Sequence, residues 1–325
     1  MGLPLFFFLL VTSLSSIPLS QSKLSLDYYA KTCPRFDSIV QEIVYSKQTQ
    51  SPTTAAATLR LFFHDCAVDG CDASVLIRSS ATNKSERDND INHSLAGDAY
   101  DVVSRIKTAV ELECPGIVSC SDILAMATRN LIIMTGGPHY KVRLGRKDGF
   151  VSQASHVEGH ISRANNSLNQ MIAIFQSMGF TVQEMVALTA GGHTIGFAHC
   201  SEFSTRLFGK TPDPTLNPKL VEALKRHCAN YSTNPTIAVF LDVISPGRFD
   251  NNFLKNLQKG LGILASDSAL MKDPRTVEIV NKYAMDNNLF FRDFSRAMEK
   301  LSILGVKTGH KGEVRKRCDM FNNVD

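Results

Sequence analysis

Arg60-Leu61-Phe62-Phe63-His64-Asp65-Cys66 and Gly191-Gly192-His193-Thr194-Ile195-Gly196 are the stretches that decide how this chain folds. In the first, Arg60 and His64 stand four apart, so a helix through them carries a fixed cation and a titratable base on one face. In the second, a lone histidine follows two glycines, whose bare backbone lets a flat group approach closely. Helical spacing surrounds both. Ser51-Pro52 predicts a cap with proline at the first helical position, leading into Ala55, Ala56, Ala57, Leu59 and Leu61. Thr181 to Glu184 reads as a capping box before Met185, Val186 and Leu188. The same spacing recurs in Val102, Ile106 and Val110, in Ile123, Ala127 and Leu131, in Val277, Val280 and Ala284, and in Phe291, Phe294, Ala297 and Leu301. Residues 78–98, 144–167, 209–218 and 228–250 are rich in Asp, Asn, Gly, Pro and Ser and read as long loops, of a length that goes with binding. No repeat, low-complexity tract or linker divides the chain, so the expectation is one mainly α-helical body.

The chain has 325 residues, enough for a sizeable core. Its formal charge of +4 gives no reason to invoke nucleic acid or an acidic membrane surface. The apolar run from Leu3 to Val11 is too short to span a bilayer, and small polar residues follow it. Residues 1–22 therefore read as a secretory signal, although a basic n-region is missing. Removing them removes no charged side chain. All eight cysteines lie beyond residue 22, and an even count behind a signal implies disulfides. Spacing alone leaves about 105 pairings. Asn83, Asn92, Asn165 and Asn230 each head an Asn-x-Ser glycosylation pattern.

Taken together, several motifs resemble the secreted class III plant peroxidases. They are Arg60 to Cys66, Gly70-Cys-Asp-Ala-Ser-Val-Leu76, Cys114-Pro-Gly-Ile-Val-Ser-Cys120-Ser-Asp122, Leu144-Gly-Arg146-Lys-Asp148-Gly, Gly192-His193-Thr194-Ile-Gly196 and Phe249-Asp250-Asn251. The resemblance covers nearly all of residues 24–320. It implies a mainly α haem peroxidase fold in residues 23–325, with a distal half (about 23–165) and a proximal half (about 166–325) clamping one haem b. It implies reduction of hydrogen peroxide and one-electron oxidation of two phenolic donors. A monomer with no nucleic-acid or membrane partner follows, placed in the cell wall, or in the vacuole. A weakened cell-wall-binding homologue and a calcium-stabilised scaffold without haem are the alternatives.

Residue by residue, the resemblance makes His64 the base and then the acid of peroxide cleavage. Arg60 stabilises the leaving oxygen, and Phe63 limits access to the iron. His64 needs a partner for its second ring nitrogen. Counting from Glu86, which matches a glutamate reached by that network, gives Asn92; aligning on Ser94-Leu95 gives Ile91, which cannot make the bond, so Asn92 is preferred. His193 matches the axial iron ligand, and Asp267 the carboxylate behind it. One residue more than usual precedes His193; it must form a bulge or rephase the helix by about 100°. Asp65, Asp72 and Ser74, with the carbonyls of Val68 and Gly70, match a distal Ca²⁺ site; Thr194, Asp242, Ser245 and Asp250, with the Arg248 carbonyl, match a proximal one. The implied disulfides are Cys33–Cys114, Cys66–Cys71, Cys120–Cys318 and Cys200–Cys228, and Asp122 and Arg146 match a buried ion pair. At the donor site Ser162 stands where the family has proline, which frees the local backbone. Arg163 beside it offers a cation to acidic phenols.

Overall fold

A periodic apolar stripe forms a stable helix only when another element covers it. The computed structural model describes residues 24–211 and 213–322, so the expected signal segment lies outside the described residues. Twelve α-helices run through them: α1 (Phe36–Gln50), α2 (Thr54–Ala67), α3 (Gly97–Glu113), α4 (Cys120–Met134), α5 (Leu168–Ser177), α6 (Val182–Ile195), α7 (Ser204–Phe208), α8 (Pro218–His227), α9 (Asn252–Gln258), α10 (Ala265–Ala269), α11 (Pro274–Met285) and α12 (Asn287–Leu301). Phe197–His199 (β1) pairs antiparallel with Ala238–Phe240 (β2), with Phe197 opposite Phe240. No single described helix is long and apolar enough to cross a membrane.

Helices α1 to α4 pack on one another, as do α6, α9, α11 and α12, and α2 touches α6 between the two groups. Both groups share one apolar core. Val102, Val103, Ile106 and Val110 bury the inner face of α3; Ile123, Leu124, Ala127 and Leu131 bury that of α4. Each fully buried branched side chain contributes about 1.5–3 kcal/mol. All four implied disulfides are formed.

Capping agrees with the sequence at α6, where Thr181 and Glu184 form the capping box. It differs at α2. The helix begins at Thr54 with Thr53 at its N-cap, so Pro52 belongs to the preceding turn and not to the first helical position. Three of the long loops also hold short structure: 3₁₀ turns at Glu86–Asp88, Asp90–Asn92 and Ala154–Val157, and strand β2 within 228–250. The extra residue before His193 makes no bulge, because α6 is α-helical from Val182 to Ile195. Its phase is held by α12: a Cβ on Gly191 would lie 2.1 Å from the Phe294 ring.

Candidate active site

Helices α2 and α6 face each other across a cleft of about 570 Å³, within the range of small-molecule sites. Arg60, Phe63 and His64 line it from α2, and Gly192 and His193 from α6. Residues 129 positions apart thus share one cavity because two amphipathic helices bury their apolar faces together.

His64 is 4% exposed, and its Nδ1 lies 2.6 Å from Asn92 Oδ1. Asn92 Nδ2 donates to the Glu86 carbonyl at 2.8 Å, which fixes the amide so that Oδ1 faces the imidazole. Nδ1 of His64 therefore carries the proton, and Nε2 presents a lone pair. Asn92, and not Ile91, is the partner; the Ile91 carbonyl binds Arg60 instead. Glu86 enters this network through its backbone carbonyl, not its carboxylate. Burial, followed by the Arg60 cation, pushes the His64 pKa down to about 3, against an upward pull from the Asn92 hydrogen bond. A buried Asn92 is no acceptor for glycan.

Three of the five N–H groups of Arg60 are engaged: Nη1 donates to Ser94 O at 2.9 Å, and Nη2 donates to Ile91 O at 3.0 Å and Ser94 Oγ at 3.1 Å. The 91–94 turn thereby holds both the cation and the partner of the base. Phe63 stacks on Phe175 with ring centroids 5.6 Å apart, making an aromatic wall.

On the other wall, His193 Nδ1 lies 2.8 Å from Oδ1 of the fully buried Asp267. Asp267 is fixed at the start of α10, where its Oδ2 accepts from Leu264 N at 3.4 Å. Nε2 is left for a ligand. A cleft of this size, with apolar walls and one anchored imidazole opposite another, fits the haem that the resemblance implies.

Below His64, Asp65, Asp72, Ser74 and Glu86 are all buried. Burial and mutual repulsion push Asp65 well up, and Glu86 up to about 9. Ser74 Oγ and Glu86 Oε2 have no hydrogen-bond partner among the described residues. The backbone wraps this cluster through left-handed positions at Asp69, Gly70 and Ala73, and Gly70 packs directly on Gly305. Crowded buried carboxylates beside an orphaned hydroxyl fit a hard cation. No described group of three or more His, Cys, Asp or Glu forms a metal cluster, so carbonyls and hydroxyls would supply much of the shell. On the other side, Ser245 Oγ donates to Asp242 Oδ2 at 2.9 Å and lies 3.1 Å from Asp250 Oδ1. Thr194 Oγ1 donates to the Asp250 carbonyl at 2.7 Å and lies 3.4 Å from that of Arg248. Asn252 and Asn256, which the sequence reading missed, hold these carboxylates. Nothing in their local pattern marks them.

Ser162 lines the cleft as expected, but its loop is not loose. Asn166 Oδ1 accepts from Arg163 N at 2.7 Å and Ser162 Oγ at 3.2 Å, doing by hydrogen bonds what proline does by ring closure. Arg163 is no free cation: Asp90 binds it with both carboxylate oxygens.

The peroxidase family profile matches residues 40–286. The chain is 58% identical to Peroxidase 41 of Arabidopsis thaliana over 97% of its own length and 95% of the relative's. Identity to Peroxidase 65 of the same plant is 57%, covering 93% and 90%. Peroxidase 6 is 55% identical over 95% of each chain.

Proposed function

The chain belongs to the peroxidase family, among the class III plant enzymes, and from that premise we propose that His64, Arg60 and Asn92 cleave hydrogen peroxide in the cleft between α2 and α6. The reading rests on two imidazoles facing one cavity, each with Nδ1 held from behind. Haem b, held by His193 with Asp267 behind it and Phe63 beside it, would supply the redox centre. The neutral Nε2 of His64 takes a proton from one peroxide oxygen and returns it to the other. The unused N–H groups of Arg60 stabilise the charge on the departing oxygen. Overall, one peroxide gains two electrons and two protons and leaves as two waters. Two phenols, meeting the cleft beside Ser162, each give one electron and one proton. Calcium would be held by Asp65, Val68, Gly70, Asp72 and Ser74, and by Thr194, Asp242, Ser245, Arg248 and Asp250, and would keep the segments beside His64 and His193 in place. We read residues 23–325 as one domain with distal and proximal halves, acting as a secreted monomer at the wall or in the vacuole.

The purified protein should show haem absorbance that changes on adding peroxide. A proton on Nε2 blocks the first transfer, so activity is present where His64 is neutral and is lost as pH falls through its folded pKa. Because that value is depressed from 6.5 to about 3, the rate with peroxide should stay level through pH 6.5 and fall only far below it. A colourless protein, or a rate that falls with a midpoint near 6.5, overturns the assignment.

Calcium removal tests the ion sites. A ligand that binds only the folded state stabilises it by about 2.7 kcal/mol at a hundred times its Kd. Chelation should lower the denaturation midpoint accordingly and slow the peroxide reaction. An unchanged midpoint in excess chelator discards both sites.

A further inference from the structure

The mouth of the cleft carries an ion pair that the peroxide chemistry does not use. Arg163 and Asp90 both line the opening. Arg163 Nη1 donates to Asp90 Oδ2 at 3.0 Å and Nη2 to Oδ1 at 2.9 Å, a bidentate pair. Glu158 Oε1 stands 3.9 Å from the same Nη2. Glu202, exposed on the turn after β1, also lines the cleft and has no salt bridge among the described residues. Its negative field reaches both Arg60 and Arg163. Arg163, the cation at the rim among the described residues, is therefore paired, and the Glu202 carboxylate remains.

We propose that Asp90 is a specificity-determining residue: by neutralising Arg163 at the cleft mouth it makes the enzyme favour neutral phenolic alcohols over phenolic carboxylates. The inference rests on the phenolic donor reading above. A donor carboxylate arriving at the rim meets Glu202 with Arg163 already paired; the remaining cation lining the cleft, Arg60, is tied to the 91–94 turn beside His64. One unit charge at contact distance in water-like surroundings is worth about five-fold in rate. The guanidinium also holds the Asp90 carboxyl below its usual range, so the pair persists at mildly acid pH. Asp90 opens the 3₁₀ turn that ends at Asn92, so an Asp90 variant can also disturb His64. A ratio between two donors cancels that shared effect.

The test compares ferulate with coniferyl alcohol, which share a ring and differ in the carboxylate, using holoprotein and peroxide. The readout is the ratio of kcat/KM for ferulate to that for the alcohol. Asp90→Asn should raise it about five-fold by removing one negative charge at the rim and leaving Arg163 only its 3.9 Å contact with Glu158, and Arg163→Gln should lower it. Both shifts should shrink at roughly 1 M salt, where the Debye length is about 3 Å. Ratios within two-fold of the unmodified enzyme in both variants, or moving the same way in both, overturn the inference. Turnover of neither donor by the unmodified holoprotein overturns the phenolic reading, and this inference with it; turnover of both with an unmoved ratio overturns this inference alone.

Discussion

His64→Leu should slow the reaction with hydrogen peroxide by about 10²–10⁴-fold, the usual worth of a positioned acid–base group. Leucine nearly fills the space of the imidazole but has no lone pair to take the peroxide proton and none to return. Arg60 keeps its three tethers to Ile91 and Ser94, so charge stabilisation alone remains. Asn92 Oδ1 loses its donor in a buried site, which costs about 1–3 kcal/mol of stability. That is too little to unfold a chain tied by four disulfides. The His193–Asp267 pair lies on the facing wall and is untouched, so haem absorbance should persist while its response to peroxide becomes slow. Rapid mixing with peroxide, without donor, measures the step directly. A loss below ten-fold would remove His64 from the role of base.

Asp122→Ala should cost about 3–5 kcal/mol, because it strands a guanidinium in the core. Both side chains of the Asp122–Arg146 pair are fully buried, with Oδ1 and Nη1 2.7 Å apart. Asp122 also accepts from Tyr29 Oη at 2.7 Å and from Gly145 N at 2.7 Å. Gly145 reaches that position at a φ of 112°, against the Tyr28 ring, where a side chain would collide. Without Asp122, Arg146 retains only the Ser302 and Arg143 carbonyls. The double replacement Asp122→Leu with Arg146→Met removes both charges and should recover most of the loss. Denaturant midpoints of the two variants decide the matter. Equal destabilisation by both would show that packing around the pair, not the stranded charge, sets the cost.

Arg60 and His64 are neighbours on one helix, so spacing placed them together. The partners behind the histidines, Asn92 and Asp267, came only through family resemblance, since 28 and 74 residues separate them from their imidazoles. Spacing of charges also misled. Arg163 looked available to acidic phenols because its partner Asp90 lies 73 residues upstream. Ser162 looked like a loosened backbone because the role of Asn166 shows only once the turn is closed. The residue added before His193 was open to two outcomes in sequence. Contact between Gly191 and Phe294 of α12 leaves α6 one phase.

Local pattern alone determined what depends on neighbours in the chain: the helical periods, the capping box at Thr181, the even cysteine count and the chemistry each side chain can perform. Which cysteine meets which came through family resemblance, while which nitrogen of His64 faces the cleft and whether a charge at its mouth is free were decided only by the packed structure. A helix repeats its own environment every few residues. A hydrogen bond, an ion pair or a blocked Cβ depends on an atom from a distant segment, and only the closed core brings that atom within reach.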